Sequence, residues 1–252
     1  MTNTTMSARF AESDFRVGAV LTRSAKILSQ NFLIFFLIAV VANLPSVLLG
    51  PAGQALVSGR TATTQNAVLL IIGGVLSYVL AMISQAVMVH AAFQAMRMRP
   101  VLVGESLKVG LSRVIWVILL ALLMGILGGL AALALVVPAF ILLTMWFVAT
   151  PACVVERTGP WTSMKRSSAL TKGHRWKIFG LFLLLIVISV VVALLLQTLL
   201  AQVGSLILVV LGTLLWGAIW TAYYSIAVVM TYHDLRVAKE GIDIEQIAAV
   251  FD

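Results

Sequence analysis

Residues that could carry chemistry are few and dispersed in this sequence. It contains three separate histidines: His90, His174 and His233. Only His233 has a carboxylate, Asp234, beside it, and Cys153 lies among apolar residues, whereas a metal site needs several converging ligands and a catalytic thiol needs a nearby base. No glycine-rich phosphate loop or serine nucleophile motif is present. The sequence therefore predicts no catalytic residue, metal site or cofactor; a site assembled in space from distant residues is the alternative.

A second group of polar and aromatic residues lies inside apolar stretches. Hydrogen bonding between helices is their ordinary role in a membrane protein. If a cavity exists, we expect it where the last apolar stretch meets Asn43 and Pro45, because Pro45 would break its helix and leave a carbonyl free. The candidate cavity residues are Asn43, Pro45, Trp216, Trp220, Tyr223 and Tyr224.

Positive charge is densest in residues 156–177, which contain six of the seventeen Lys and Arg residues and one acid. Such a stretch either binds a nucleic acid or acidic substrate, or is a loop held on one side of a membrane. A nucleic-acid-binding segment typically belongs to a recognisable module or has aromatic residues interleaved with its basic ones. Neither feature is visible in this stretch. We therefore expect contacts with lipid headgroups or a protein partner. The candidate residues are Lys165, Arg166, Lys172, Arg175 and Lys177.

Composition places these residues on a membrane protein. The chain is 62% hydrophobic and 10% charged, whereas about 25% of a soluble domain is charged. Residues 178–200 contain no charge, and about 20 apolar residues suffice to cross a bilayer as a helix. We expect six spans, with a turn between the third and fourth at 133–138 and a break at 201–205. The predicted spans are 32–50, 67–93, 114–133, 138–155, 178–200 and 206–231.

Charge placement supports six spans and predicts their orientation. With this count, sixteen of the seventeen cations and all nine acids fall on one side. The segments on that side of the membrane are 1–31, 94–113, 156–177 and 232–252. Because Lys and Arg accumulate on cytoplasmic loops, we expect both termini in the cytoplasm. The chain then divides into a cytoplasmic segment, 1–30, a membrane domain, 31–232, and an acidic tail helix, 233–252.

Three segments repeat one plan, in which a basic, helix-compatible stretch leads into two spans. They are Phe15–Phe32, Val101–Trp116 and Pro160–Trp176. Each is typical of an amphipathic helix at the headgroup layer. The predicted fold is all-α, with three hairpins each preceded by a basic interfacial helix, in pseudo-threefold arrangement. The acidic tail helix, starting at Asp243, either docks on the third basic segment or is solvated.

Two stretches, PACVVERTGPWTSMKRSSALTKGHRWKIF (151–179) and YHDLRVAKEGIDIE (232–245), resemble a bacterial family. It is the membrane domain of glycerophosphoryl diester phosphodiesterase, with the related YciC-like inner-membrane proteins. The resemblance implies a polytopic protein of the bacterial inner membrane. Family members with phosphodiesterase activity carry it on a separate soluble barrel, whose metal-binding motifs this sequence lacks. The resemblance therefore does not imply an enzyme.

These observations predict a non-catalytic accessory or organising component of the bacterial envelope. The alternative is transport or binding of a lipid-like or small neutral molecule. A proton-coupled transporter is disfavoured because the six predicted spans contain no ionisable interior residue. The expected partners are anionic lipids and either another membrane protein or a second copy of the chain, but not nucleic acid.

Overall fold

The structure is a computed structural model, and it describes residues 15–49, 67–96, 101–134 and 136–240. These residues form helices and no strand. The helices are α1 (Val17–Gln30), α2 (Phe32–Leu49), α3 (Ala67–Met96), α4 (Val103–Ser112), α5 (Val114–Ala134), α6 (Val136–Met145), α7 (Ala149–Val155), α8 (Pro160–Thr171), α9 (Arg175–Gln202) and α10 (Leu206–Glu240). The all-α prediction is confirmed for this part of the chain.

Five helices, α2, α3, α5, α9 and α10, are long and apolar enough to cross a membrane. Many of their large apolar side chains face outward; Leu133, for example, is 86% exposed. A water-soluble protein rarely exposes continuous apolar surface of this kind, whereas lipid solvates it. The long apolar helices are therefore those of a membrane protein.

The fourth predicted span, 138–155, is not one continuous helix, and it is not among the five helices that are long enough to cross a membrane. The chain forms α6, then a turn at 146–148, then α7. Since a helix rises 1.5 Å per residue, α6 alone is about 15 Å long, half the hydrocarbon thickness. The interruption is stabilised from outside the segment, because Ser167 of α8 donates to the carbonyl of Met145 at 2.7 Å.

Pro45 does not break its helix, contrary to the prediction, because α2 continues through it to Leu49. Two residues earlier, the Asn43 amide donates to the Ala39 carbonyl at 2.8 Å and to the Thr221 hydroxyl of α10 at 3.0 Å. Proline is tolerated in membrane helices where neighbours support the backbone. Packing on α10 is consistent with such support.

The repeated plan of a short basic helix before a long apolar one occurs three times. One residue, Asn31, separates α1 from α2, one residue, Arg113, separates α4 from α5, and residues 172–174 separate α8 from α9. Gly173 has φ 90° just after α8, and Gly204 has φ 71° between α9 and α10. Glycine adopts this left-handed conformation without strain, which suits it to a helix end.

The best-packed part of the molecule lies at one end, which we call the charged end. It comprises α1, α4, α8 and residues 232–240 of α10. Arg23 of α1 pairs with Asp234 at 3.0 Å, and the ring of Phe15 lies 6.1 Å from that of His174. The longest continuous buried runs are 84–93, 146–155 and 225–233, and they lie within or beside these elements. The core therefore sits near the charges, and the opposite halves of the long helices are more exposed.

Candidate functional site

A closed ring of polar contacts joins α8 to the end of α10, and we call it the polar ring. Arg166 Nε donates to both Glu156 carboxylate oxygens, at 2.7 and 2.8 Å, and Arg166 also pairs with Glu240. Arg236 Nε donates to Glu240 at 3.1 Å and its Nη1 to the Tyr232 hydroxyl at 3.1 Å. That hydroxyl donates to Glu156 at 3.0 Å. Two carboxylates thus meet two guanidinium groups.

The ring is an internal structure. Tyr232 is fully buried, and the Arg166 side chain is 28% exposed. Burial disfavours the charged form of Arg166, but hydrogen bonds and negative charge from Glu156 and Glu240 outweigh that effect and raise the pKa of its guanidinium. Opposite charges balance within the ring, because Glu156 and Glu240 are both paired with its guanidinium groups. Other cations of the charged end face outward.

Four of the five candidate contact residues remain at least partly accessible outside the ring. Lys165, Lys172 and Lys177 are exposed, and Arg175 is half-buried. Arg166, the fifth, lies in the ring. Lys165 sits 5.7 Å over the ring of Trp161, itself 56% exposed, as in a cation–π contact at a membrane interface. The two residues are adjacent in sequence, but Lys165 faces outward and Arg166 faces inward.

A stripe of small polar residues on α8, spaced four apart, was not among the predicted site residues. Ser163, Ser167 and Thr171 are all buried. Ser167 donates to the Met145 carbonyl and accepts from the Val148 amide at 3.3 Å, so it satisfies both sides of the α6–α7 turn. The spacing itself could have indicated this face, since residues i and i+4 share one side of a helix.

The α4 helix docks on α3 through polar and small residues. Ser106 lies 3.0 Å from His90 Nδ1, and Gln94 donates to Glu105 at 3.0 Å. Its apolar residues Leu107 and Leu111 are 45% and 49% exposed. The helix thus has one face for the protein and another, apolar face directed outward, as expected of a helix at a membrane surface.

The six candidate cavity residues are distributed over different surfaces of α2 and α10. Trp220 and Tyr224 line a cavity of about 140 Å³ against α9, where Leu185 and Ser189 face them. Asn43 instead bonds to Thr221, and Pro45 stays within α2.

The other two aromatic candidates lie beside that cavity. Trp216 stacks on Trp220 with ring centroids 5.7 Å apart. Tyr223 donates to the Leu21 carbonyl at 3.3 Å. The only two of the six that line the cavity are Trp220 and Tyr224.

The described residues form no group of three or more His, Cys, Asp or Glu side chains able to hold a metal ion. The predicted neighbours His233 and Asp234 do meet, at 3.1 Å, but Asp234 also pairs with Arg23. Cys153 is buried, with its sulfur 3.5 Å from the Thr158 carbonyl. The histidines and the cysteine therefore belong to separate local contacts.

Comparison of the chain with protein-family models, with curated proteins and with solved structures gave no match. The resemblance to the phosphodiesterase membrane-domain family therefore rests on the two quoted stretches. Residues of the two stretches contact one another in the polar ring. Glu156 and Arg166 come from the first stretch, and Tyr232, Arg236 and Glu240 come from the second. The predicted tail helix from Asp243 lies outside the described residues.

Proposed function

We propose that the chain is a six-span protein of the bacterial inner membrane with both termini in the cytoplasm. On this proposal it is a non-catalytic accessory or organising component of the envelope, related to the family that it resembles. It acts through its charged end, which faces the anionic inner leaflet. The divided segment, α6 and α7, is then the fourth span.

One observation carries this proposal: three of the four described acids of the charged end are turned inward, while most of its cations are left outside. The described residues include thirteen Lys and Arg but four Asp and Glu. Three of those acids, Glu156, Asp234 and Glu240, are in internal ion pairs. The exposed cations outside these ion pairs, which we call the cationic surface, are Arg16, Lys26, Lys108, Arg157, Lys165, Lys172, Lys177 and Lys239.

The physical consequence is attraction to an acidic membrane or to an acidic partner at its surface. Each Lys or Arg near an anionic leaflet contributes about 1 kcal/mol of attraction. Exposed Trp116 and Trp161 lie at the same end and suit the headgroup layer. The balance between internal acids and external cations fits a surface role better than it fits a catalytic cleft.

The test compares what the protein retains when it is extracted in its native lipid. Lipids and proteins that co-purify are quantified by mass spectrometry for the wild type, for Lys108→Gln/Lys165→Gln and for Trp220→Ala/Tyr224→Ala. We expect the double lysine variant to lose at least fivefold of the retained anionic components, and the aromatic variant to keep them. Arg166 is unsuitable for this test because its replacement would open the polar ring.

A second candidate function is favoured by the cavity beside Trp220 and Tyr224. It is the binding or transport of a lipid-like or small neutral molecule. In that case the aromatic variant loses a specific co-purifying molecule and the lysine variant does not. That outcome would replace the first proposal.

A further inference from the structure

A groove of about 370 Å³ lies between α6 and α9 at the charged end. Its volume falls within the range of about 300–1,000 Å³ found for small-molecule sites. Phe140 and Phe179 meet edge to face across it, with ring centroids 5.9 Å apart. Its lining residues are Phe140, Ile141, Thr144, Arg175, Trp176 and Phe179.

Arg175 supplies the charged group of this groove. The hydroxyl of Thr144, the other polar lining residue, donates to the Ile141 carbonyl of its own helix at 2.8 Å. The Arg175 guanidinium donates through Nη2 to Ser168 at 3.3 Å, whereas its Nε is buried without a hydrogen-bond partner among the described residues. A buried donor without a partner is costly, so an acceptor at this position would be stabilising.

Two further cations lie close to Arg175. Lys172 and Lys239 are exposed, and positive charge from both Lys172 and Arg175 acts on Lys239. Lys239 donates to the Ala169 carbonyl, near the end of α8, at 2.6 Å. None of the three forms a salt bridge with a described carboxylate.

The end of α8 does not neutralise this cluster. A helix C-terminus supplies roughly half of one negative charge, so much of the positive charge of three cations remains. An apolar groove whose polar end carries cations without a carboxylate partner among the described residues is complementary to an anionic amphiphile.

We propose that this groove binds an anionic phospholipid, with one acyl chain along Phe140, Ile141 and Phe179 and its phosphate against Arg175 and Lys172. Arg175 Nε donates to a phosphate oxygen, and a guanidinium suits phosphate because its donors form a planar fork. Trp176, 86% exposed at the groove, lies at the headgroup level. The proposal deepens the proposed function by naming one lipid site on the charged end.

The test is native mass spectrometry of the purified full chain titrated with phosphatidylglycerol or with phosphatidylcholine. Arg175→Gln/Lys172→Gln removes the headgroup contacts, and Ile141→Trp fills the groove without changing charge. The matched control, Lys108→Gln/Lys165→Gln, removes two exposed cations from elsewhere on the charged end. Melting temperatures of all variants are measured alongside, and the two independent variants guard against one that folds poorly.

We expect the first phosphatidylglycerol to bind about tenfold more weakly to Arg175→Gln/Lys172→Gln and at least threefold more weakly to Ile141→Trp. The matched control should bind the first phosphatidylglycerol as the wild type does and lose only the further phosphatidylglycerol molecules that the cationic surface attracts. Phosphatidylcholine should bind weakly throughout. Glycerol phosphate, which has no acyl chain, should not compete.

Equal loss in the matched control would overturn the groove site and leave the cationic surface of the proposed function intact. Wild-type affinity in Ile141→Trp, or competition by glycerol phosphate, would likewise overturn it. Absence of any preference for phosphatidylglycerol in the wild type would overturn the groove site, whereas the proposed function is decided separately by the co-purification test.

Discussion

Arg166 and Lys165 are adjacent cations with opposite environments. Successive residues on a helix point about 100° apart, so Lys165 faces outward over Trp161 while Arg166 faces Glu156 and Glu240. A partly buried guanidinium between two carboxylates has well-defined partners, whereas an exposed lysine contributes little to stability. Arg166 therefore has an internal, stabilising role, whereas Lys165 contributes positive charge to the surface.

Replacing Arg166 with glutamine should destabilise the protein. The change removes the cation between Glu156 and Glu240 and leaves two partly buried carboxylates close together. Lost hydrogen bonds to charged groups cost about 1–3 kcal/mol, which corresponds to a fall in melting temperature of about 2–10 °C for a chain of this size. Thermal unfolding in detergent measures it.

Lys165→Gln is the matched control for this prediction, since it removes the neighbouring charge without touching the polar ring. Its melting temperature should change by less than 2 °C, because surface changes usually lie within about 0.5 kcal/mol. If Arg166→Gln and Lys165→Gln had the same melting temperature, the polar ring would not be a stabilising unit.

Among the elements, α4 shows how one short helix meets both protein and surroundings. Its small residues Ser106 and Gly110 pack on α3, while Leu107 and Leu111 face outward. A β-carbon at Gly110 would lie 2.5 Å from Val87 Cγ2 and 3.0 Å from the Val87 backbone nitrogen. Glycine is therefore required there by close helix contact, as at other membrane-helix interfaces.

Gly110→Leu should displace α4 from α3, whereas Gly104→Leu on the same helix should not. Nothing lies within 4 Å of a β-carbon at Gly104. Both changes gain the same helix propensity, so the difference between them isolates the contact. We expect Gly110→Leu to be less stable than Gly104→Leu by about 1–3 kcal/mol, the usual cost of overpacking. Thermal unfolding and proteolysis at residues 101–113 measure this, and equal behaviour would argue against tight docking.

The elements α6, α7 and α8 depend on one another in a similar way. The turn at 146–148 leaves backbone groups outside the helical ladder, and in a low-dielectric setting such groups need partners. Ser167 provides them for Met145 and Val148. The third basic segment therefore supports the chain between two short apolar helices, in addition to carrying exposed cations.

At the scale of the molecule, the main feature is the collection of the described charges at one end. Contacts between α1 and α10, between α8 and α10, and between α3 and α4 bring all of the basic segments and the end of the last helix to this end. Apolar surface covers the other halves of the long helices. A bilayer favours this segregation because an ionised group in hydrocarbon is costly.

This arrangement predicts that residues 108 and 165 are reached from the same side of the membrane. Single cysteines replacing Lys108 and Lys165 in a Cys153→Ala background should resist an impermeant maleimide in intact cells and react after permeabilisation. Arg60→Cys, expected on the opposite side, should react in intact cells. Labelling of residues 108 and 165 from opposite sides would contradict the six-span arrangement.

Much of the architecture follows from the sequence because hydropathy and charge act locally. Runs of apolar residues of sufficient length indicate the long helices, and a local change to basic, amphipathic composition indicates α1, α4 and α8. The break at 201–205 lies between α9 and α10 as predicted. For the same reason the sequence pointed to the basic stretch 156–177 as the densest charged surface.

The candidate sites were decided only by packing. Glu156 and Glu240 are 84 positions apart, and no periodicity predicts that Arg166 lies between them. The division of the fourth span likewise depends on Ser167 of a later helix, and the groove at Arg175 exists because α6 packs on α9. By itself the sequence determined which segments prefer lipid and which prefer water, since that preference is a sum over neighbouring residues. The tertiary structure decided which charges neutralise one another and which remain outside, because that depends on contacts between residues remote in the chain.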